Sequence, residues 1–229
     1  MAEFTGPFGE VVSYFPNGDW GVGTCTMIGP KLAITAMHNV YDKEKKVFTN
    51  KVDIYPGCNG PNITDINLDV VSVHTLQWNK EYEWYGKSKD DWCLLVLDTD
   101  MSYKTGYCGV ARSDTPTQFL GYKVTVSGYP GDLNRPLMPD HKIDPNIPLY
   151  QFYCDGTITR GNAGLLNHTC STMKGDSGAG IITDYEGEKR VIGVHTLGGE
   201  PVDGASHNTG PYIDAWTFDE IMKYRNGLP

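Results

Sequence analysis

Three residues whose types together carry out acyl transfer stand at the edges of apolar runs in this chain. Ser177 lies inside Gly175-Asp-Ser-Gly178, between residues small enough to let the backbone turn sharply. His38 follows directly on the run Leu32-Ala-Ile-Thr-Ala-Met37, and Asp91 ends Lys89-Asp90-Asp91 just before Trp92-Cys-Leu-Leu-Val-Leu97. A serine hydroxyl is a weak nucleophile, so it needs a neighbouring base and backbone N–H groups aimed at the oxyanion it creates. An imidazole that titrates near neutrality is a suitable base, and a carboxylate can hold it in one tautomer. Each of the three has a blander reading alone: an ordinary turn, a structural histidine, a solvated strand cap. Found together at three element edges, in the order His, Asp, Ser, they suit charge-stabilised acyl transfer.

The elements that must position them read as strands. Short runs rich in β-branched and aromatic residues recur at Val11–Phe15, Thr24–Ile28, Leu32–Ala36, Val52–Tyr55, Val70–His74 and Trp92–Leu97, then at Lys123–Tyr129, Leu149–Tyr153, Ala179–Thr183, Val191–His195 and Pro211–Ile213. Turn residues such as Pro16-Asn-Gly-Asp and Tyr129-Pro-Gly-Asp separate them. The pattern predicts an all-β chain of antiparallel barrels or a sandwich. A polar stretch between Ala111 and Gln118 predicts a division into residues 1–112 and 113–229. One helix is expected over 217–226, with Thr217-x-x-Glu220 as its capping box and Asn226-Gly227 as its end.

Composition bounds the partners. The 229 residues hold 39% hydrophobic and 11% aromatic residues, enough for buried cores. Lys+Arg 19 against Asp+Glu 28 gives a net charge of −9 without a basic tract, which argues against nucleic acid or an anionic membrane as partner. No apolar run approaches a membrane span, and the first residues carry no secretory h-region. The six cysteines are widely spaced, with no Cys-x-x-Cys or His-Glu-x-x-His, so no metal and no cofactor is expected. Cys25 and Cys93 read as buried thiols, and Cys154 and Cys170 as flanking a hairpin that a disulfide could staple. Asn62-Ile-Thr64 and Asn167-His-Thr169 match a glycosylation sequon, with chance as the favoured explanation.

Five stretches carry a resemblance: Gly23 to Asp42, Asp91-Trp-Cys-Leu-Leu, Val126-Ser-Gly-Tyr-Pro-Gly-Asp132, Lys174-Gly-Asp-Ser-Gly178 and Val191-Ile-Gly-Val-His-Thr-Leu-Gly-Gly199. In order and spacing they resemble the motifs of chymotrypsin-like serine proteases, most of all the glutamyl endopeptidase branch. The resemblance implies two antiparallel β-barrels with a C-terminal helix, His38 and Asp91 on the first and Ser177 on the second. It makes Ser177 the nucleophile, His38 the general base, Asp91 its orienting partner, and the N–H groups of Gly175 and Ser177 the oxyanion hole. Thr196 takes the position from which family members hydrogen-bond the catalytic aspartate, and Thr196, Leu197 and Gly198 become the strand that pairs with substrate.

Ser171 stands where trypsin-like members place an acid, which disfavours cleavage after Lys or Arg. Thr172 and His195 stand where glutamyl endopeptidases hold a substrate carboxylate; the alternative for His195 is a buried structural histidine. Two departures stand out: Asn39 replaces a cysteine common after the histidine, and Asp176 has no evident partner. The expectation is a monomeric serine endopeptidase acting on polypeptides after acidic residues, Glu over Asp. One rival is a viral or intracellular processing protease of the same fold cutting after Gln or Glu; another is a catalytically dead binding module. Location stays open between secretion and the cell interior.

Overall fold

A computed structural model of the chain describes residues 6–60, 70–138, 140, 142–202 and 205–227. The first half supplies β1 (Phe8–Tyr14), β2 (Trp20–Gly29) and β3 (Leu32–Thr35), a small hairpin of β4 (Tyr41–Asp42) and β5 (Val47–Phe48), then β6 (Lys51–Pro56), β7 (Val71–Trp78) and β8 (Cys93–Leu97), with α1 (Lys80–Tyr85) before β8. Six of these strands close a barrel in the order β1-β2-β3-β8-β7-β6, with β6 back on β1. Alternation along each strand serves two cores at once. On β8, Cys93, Leu95 and Leu97 face the barrel interior with Cys25, Met27 and Val11, whereas Leu94 faces outward with Ile28 and Ile34.

The second half adds β9 (Gly109–Val110), β10 (Lys123–Gly128), the short α2 (Gly131–Asn134), β11 (Phe152–Asn162), β12 (Leu165–His168), β13 (Gly180–Tyr185), β14 (Glu188–Val194), β15 (Leu197–Val202) and β16 (Ala205–Pro211). They form one eight-stranded sheet in the order β15-β16-β12-β11-β10-β13-β14-β9. A bridge from Gly193 to Tyr212, and the Ile213 N–H donating to the Ile192 carbonyl at 2.9 Å, bring the chain after β16 back onto β14. The sheet therefore rolls around its own core of Phe119, Val126, Leu166 and Ile181. A third cluster, including Phe8, Ile28 and Leu94 from the barrel and Tyr129, Val191 and Val194 from the sheet, fills the space between the two. This is the two-barrel, all-β plan that the sequence predicts.

The last element, α3 (Ala215–Arg225), buries Ile221 in that shared cluster and returns to the first barrel, where Gln77 donates to Glu220 at 3.2 Å and the Tyr224 hydroxyl donates to Gln77 at 3.2 Å. Its cap differs from expectation. Asp214 is the N-cap, its carboxylate accepting from the Thr217 N–H at 2.8 Å, so Thr217 lies inside the helix. The Asp214 side chain reaches the third helical amide as a capping residue does, which moves the start two residues upstream.

Two further expectations are corrected. Leu149–Gln151 is not strand, because its N–H groups donate to side chains, those of Glu10 (2.9 Å), Asn134 (2.5 Å) and Asn59 (3.3 Å), in place of a strand ladder. Cys154 and Cys170 do flank the β11–β12 hairpin, yet both are free thiols. The Cys154 sulfur accepts from the Ser171 N–H at 3.0 Å, and the buried Cys170 thiol faces the Val124 carbonyl at 3.8 Å. Cys25 and Cys93 are fully buried thiols. Asn62-Ile-Thr64 lies outside the described residues; Asn167 is buried in β12. Among the described residues no helix is long and apolar enough to cross a membrane.

Candidate active site

Strand register brings the histidine and the aspartate together. β3 pairs antiparallel with β8, Thr35 opposite Cys93, so the chain leaving β3 and the chain entering β8 share one end of the barrel. His38 sits there in a 3₁₀ turn (Met37–Asn39) pinned by the buried Met37, and Asp91 lies two residues before β8. The His38 Nδ1 lies 2.7 Å from one Asp91 carboxylate oxygen, and the His38 backbone N–H donates to the other at 3.0 Å. Both oxygens of the buried carboxylate thus hold one residue, fixing the ring and placing the proton on Nδ1. Burial alone would push the His38 pKa down; the Asp91 charge and hydrogen bond outweigh it, against a small opposing field from Lys43, and leave it above its ordinary value.

The serine comes from the second sheet but is held by the first barrel. Thr24, fully buried on β2, accepts from the Tyr129 N–H at 3.1 Å and donates to the Gly175 carbonyl at 2.8 Å, while its own N–H donates to the Ser177 carbonyl at 2.9 Å. Asn39 donates to that same carbonyl at 2.8 Å. Glycine is required on both sides of Ser177. Gly175 has φ +109° and a Cβ there would lie 2.3 Å from the Tyr129 oxygen; Gly178 has φ +94° and its Cβ would lie 2.1 Å from the Thr24 oxygen. The N–H groups of Gly175 and Ser177 donate to nothing among the described residues. The Ser177 hydroxyl donates to the Thr196 carbonyl at 3.5 Å, and no hydrogen bond joins it to His38. Asp176, buried, accepts from the Met173 N–H at 2.9 Å and so closes the turn before the serine. Burial raises its pKa to about 6.

Ser177, His38, Thr172 and His195 line one cavity of about 920 Å³. The pairing of Gly180 with Val194 sets His195 beside the serine loop, where the Gly178 N–H donates to its carbonyl at 2.8 Å. His195 is buried, and its Nδ1 lies 3.2 Å from Nε2 of the fully buried His168 on β12. Burial, then the His168 and His38 charges, hold the His195 pKa well below its usual value; burial, with His207, holds His168 at about 4. Both rings are therefore neutral near pH 7. The buried Nδ1 of His168 has no partner. In the tautomer pair in which His168 Nε2–H donates to His195 Nδ1, the His168 Nδ1 is a bare acceptor and the His195 proton sits on Nε2. The buried Thr172 hydroxyl, likewise, has no partner.

Leu197 and Gly198 open β15, which among the described residues pairs with β16 alone and has no strand on its other edge. Thr196 donates its hydroxyl to the Thr209 carbonyl at 3.5 Å and not to Asp91 as expected. Among the described residues no group of three His, Cys, Asp or Glu is arranged to hold a metal. Thr24, Asn39 and His168 escape the sequence reading. A buried threonine in an alternating strand looks like ordinary β-propensity, and His168 carries no motif, although its place one hairpin away from His195 is a usable signal.

The architecture is the chymotrypsin-like fold. No family model matches the chain. The glutamyl endopeptidase of Bacillus licheniformis is 28% identical over 213 residues, 90% of this chain. The chain spans 60% of the length of that relative. A solved Glu endopeptidase superposes with a TM-score of 0.78 over 98% of this chain and 92% of that one, at 22% identity. A thermostable serine protease, AL20, from an extremophilic microorganism gives 0.75 over 99% and 100%, at 15% identity. In sequence and fold the chain is thus similar to chymotrypsin-like serine proteases and, among them, to glutamyl endopeptidases.

Proposed function

We propose that this chain is a serine endopeptidase that cleaves polypeptides after acidic residues, Glu over Asp, with Ser177, His38 and Asp91 as its catalytic triad. The observation that carries the reading is a single cavity holding an Asp91-oriented imidazole, a glycine-flanked serine and two unengaged N–H groups beside it. Rotation about χ1 takes the Ser177 hydroxyl from the Thr196 carbonyl to His38 Nε2; serine–base contacts are often loose before substrate binds. The Oγ attacks the carbonyl carbon while its proton passes to Nε2, and the oxyanion enters the Gly175 and Ser177 N–H pair. Collapse expels the leaving amine, which takes the proton from His38, and water repeats the sequence on the acyl-enzyme. The acyl half of the substrate extends the sheet along the free edge of β15 at Leu197 and Gly198, and along Thr196 just before it.

Below the serine, the unpartnered Thr172 hydroxyl and the His195 Nε2–H are two donors without an acceptor, which suits a carboxylate. The neutrality of His195 also favours a second reading, cleavage after Gln, since a carboxamide needs no cation. A fluorogenic panel varying only the residue before the scissile bond tests both. Turnover of Glu and Asp substrates, abolished in Ser177→Ala, is expected. Strong cleavage after Arg, Lys or Phe overturns the pocket assignment, and undiminished turnover by Ser177→Ala overturns the nucleophile.

A further inference from the structure

The serine loop is bonded on two sides. Toward β15 the Gly178 N–H meets the His195 carbonyl and the Ser177 hydroxyl meets Thr196, whereas on the other side the Gly131 N–H donates to the Lys174 carbonyl at 2.7 Å. With the acyl half of a substrate on β15, the leaving half runs toward that second side, past Val22 and Asn39, which line the same cavity. Two cations stand there, Arg135 and Lys174, both exposed and both lining the cavity. Neither makes an ion pair or a side-chain hydrogen bond among the described residues.

A lone surface cation is usually a solvated group, but the support of Arg135 is unusual. The residue before it, Asn134, is fully buried and donates to the Pro130 and Tyr150 carbonyls at 2.9 Å each, while its oxygen accepts from the Tyr150 N–H at 2.5 Å. Three hydrogen bonds on one side chain fix the segment that presents Arg135, and the Gly131–Lys174 bond ties it to the serine loop, which carries Lys174. Among the described residues Asp132 is the one anion on this rim, leaving two cations against one carboxylate, in a chain of net charge −9. A local positive rim of that kind attracts an acidic group that the rest of the surface repels.

From this we propose that Arg135, backed by Lys174, is a subsite for an acidic side chain on the leaving-group side of the scissile bond. The inference rests on the endopeptidase reading. Substrates are then peptides with a second acid just after the cleaved bond, held by a charge-assisted and bidentate guanidinium contact.

The test uses the full chain and two peptide sets with Glu before the scissile bond: one varying a leaving-side residue as Asp, Ala or Lys, the other a Glu nitroanilide with no leaving-side residue at all. Wild type is expected to favour Asp over Ala by roughly three- to tenfold in kcat/KM, the range open to a partly exposed ion pair. That ratio should shrink toward one in about 1 M salt, where the Debye length is short. Arg135→Ala should bring the ratio near one, Arg135→Glu should invert it in favour of Lys, and Arg135→Lys should keep part of it. A wild-type ratio of one, or a ratio unchanged in Arg135→Ala and Arg135→Glu, overturns the subsite while nitroanilide turnover leaves the endopeptidase reading standing. Failure of wild type on the nitroanilide and on every peptide overturns both.

Discussion

At the residue scale, His38 is pulled in two directions, downward by burial and upward by Asp91, and the upward pull wins. Because the neutral imidazole is the proposed base, activity should fall as pH drops through a value above the ordinary 6.5 of histidine. His195 adds no limb in the free protein, since it is already uncharged well above its depressed pKa. Asp176, at about 6, is a second group beside the cavity that titrates in this range, so the profile should be measured on Asp176→Asn as well. The expected result is an acid limb in kcat/KM that persists in Asp176→Asn and is the same for Glu and neutral substrates above pH 6. Asp91→Asn should lower kcat by about 10⁴-fold, as loss of the orienting carboxylate does in the triad template. A limb that vanishes with Asp176→Asn contradicts the assignment to His38.

At the element scale, β2 is as important as the loops that carry the proposed triad. The Thr24 hydroxyl joins Tyr129 to Gly175, and Thr24→Val would leave a buried N–H and a buried carbonyl unpaired. A stability loss of about 1–3 kcal/mol is expected in urea denaturation, together with a lower kcat, because the freed carbonyl belongs to Gly175, whose N–H is one of the proposed oxyanion donors. Unchanged stability would mean that water replaces the hydroxyl. The same strand shows how far the sequence could be read. His38, Asp91 and Ser177 stand at ends of apolar runs or beside glycines, where a departure from alternation marks them. Thr24 fits the alternation of its strand perfectly and hides in it. Asn39 reads only as a missing cysteine until its amide is seen on the Ser177 carbonyl. The strands of the first barrel are legible because their apolar runs serve two cores; β15 and β16, rich in Gly, Pro and polar residues, gave no such pattern. Likewise Leu149–Gln151 has strand composition but spends its donors on side chains.

At the scale of the molecule, the two halves meet over a buried carboxylic acid. Glu10 of β1 is almost fully buried, accepts from the Leu149 N–H at 2.9 Å, faces the Cys58 thiol at 3.8 Å, and has one oxygen without a partner. Burial raises its pKa to about 8, only partly offset by those hydrogen bonds. The unfolded chain releases this proton near 4.5 and the folded one near 8, so between those values the native state holds the extra proton. Stability contributed by Glu10 is therefore full below about 4.5 and is lost as pH rises through about 8. Glu10→Gln, which cannot ionise, should flatten that decline in melting temperature between pH 5 and 9; an unchanged slope would exclude Glu10 as its source. The Thr24 bridge has a consequence at this scale too. The loop that carries Ser177 completes its backbone bonding only against a strand made more than 150 positions earlier in the chain. A partly folded molecule, or a fragment carrying the serine alone, thus lacks the posture that the proposed nucleophile needs. For the endopeptidase proposed above, completion of the tertiary structure would act as a safety interlock, keeping an emerging chain from digesting itself.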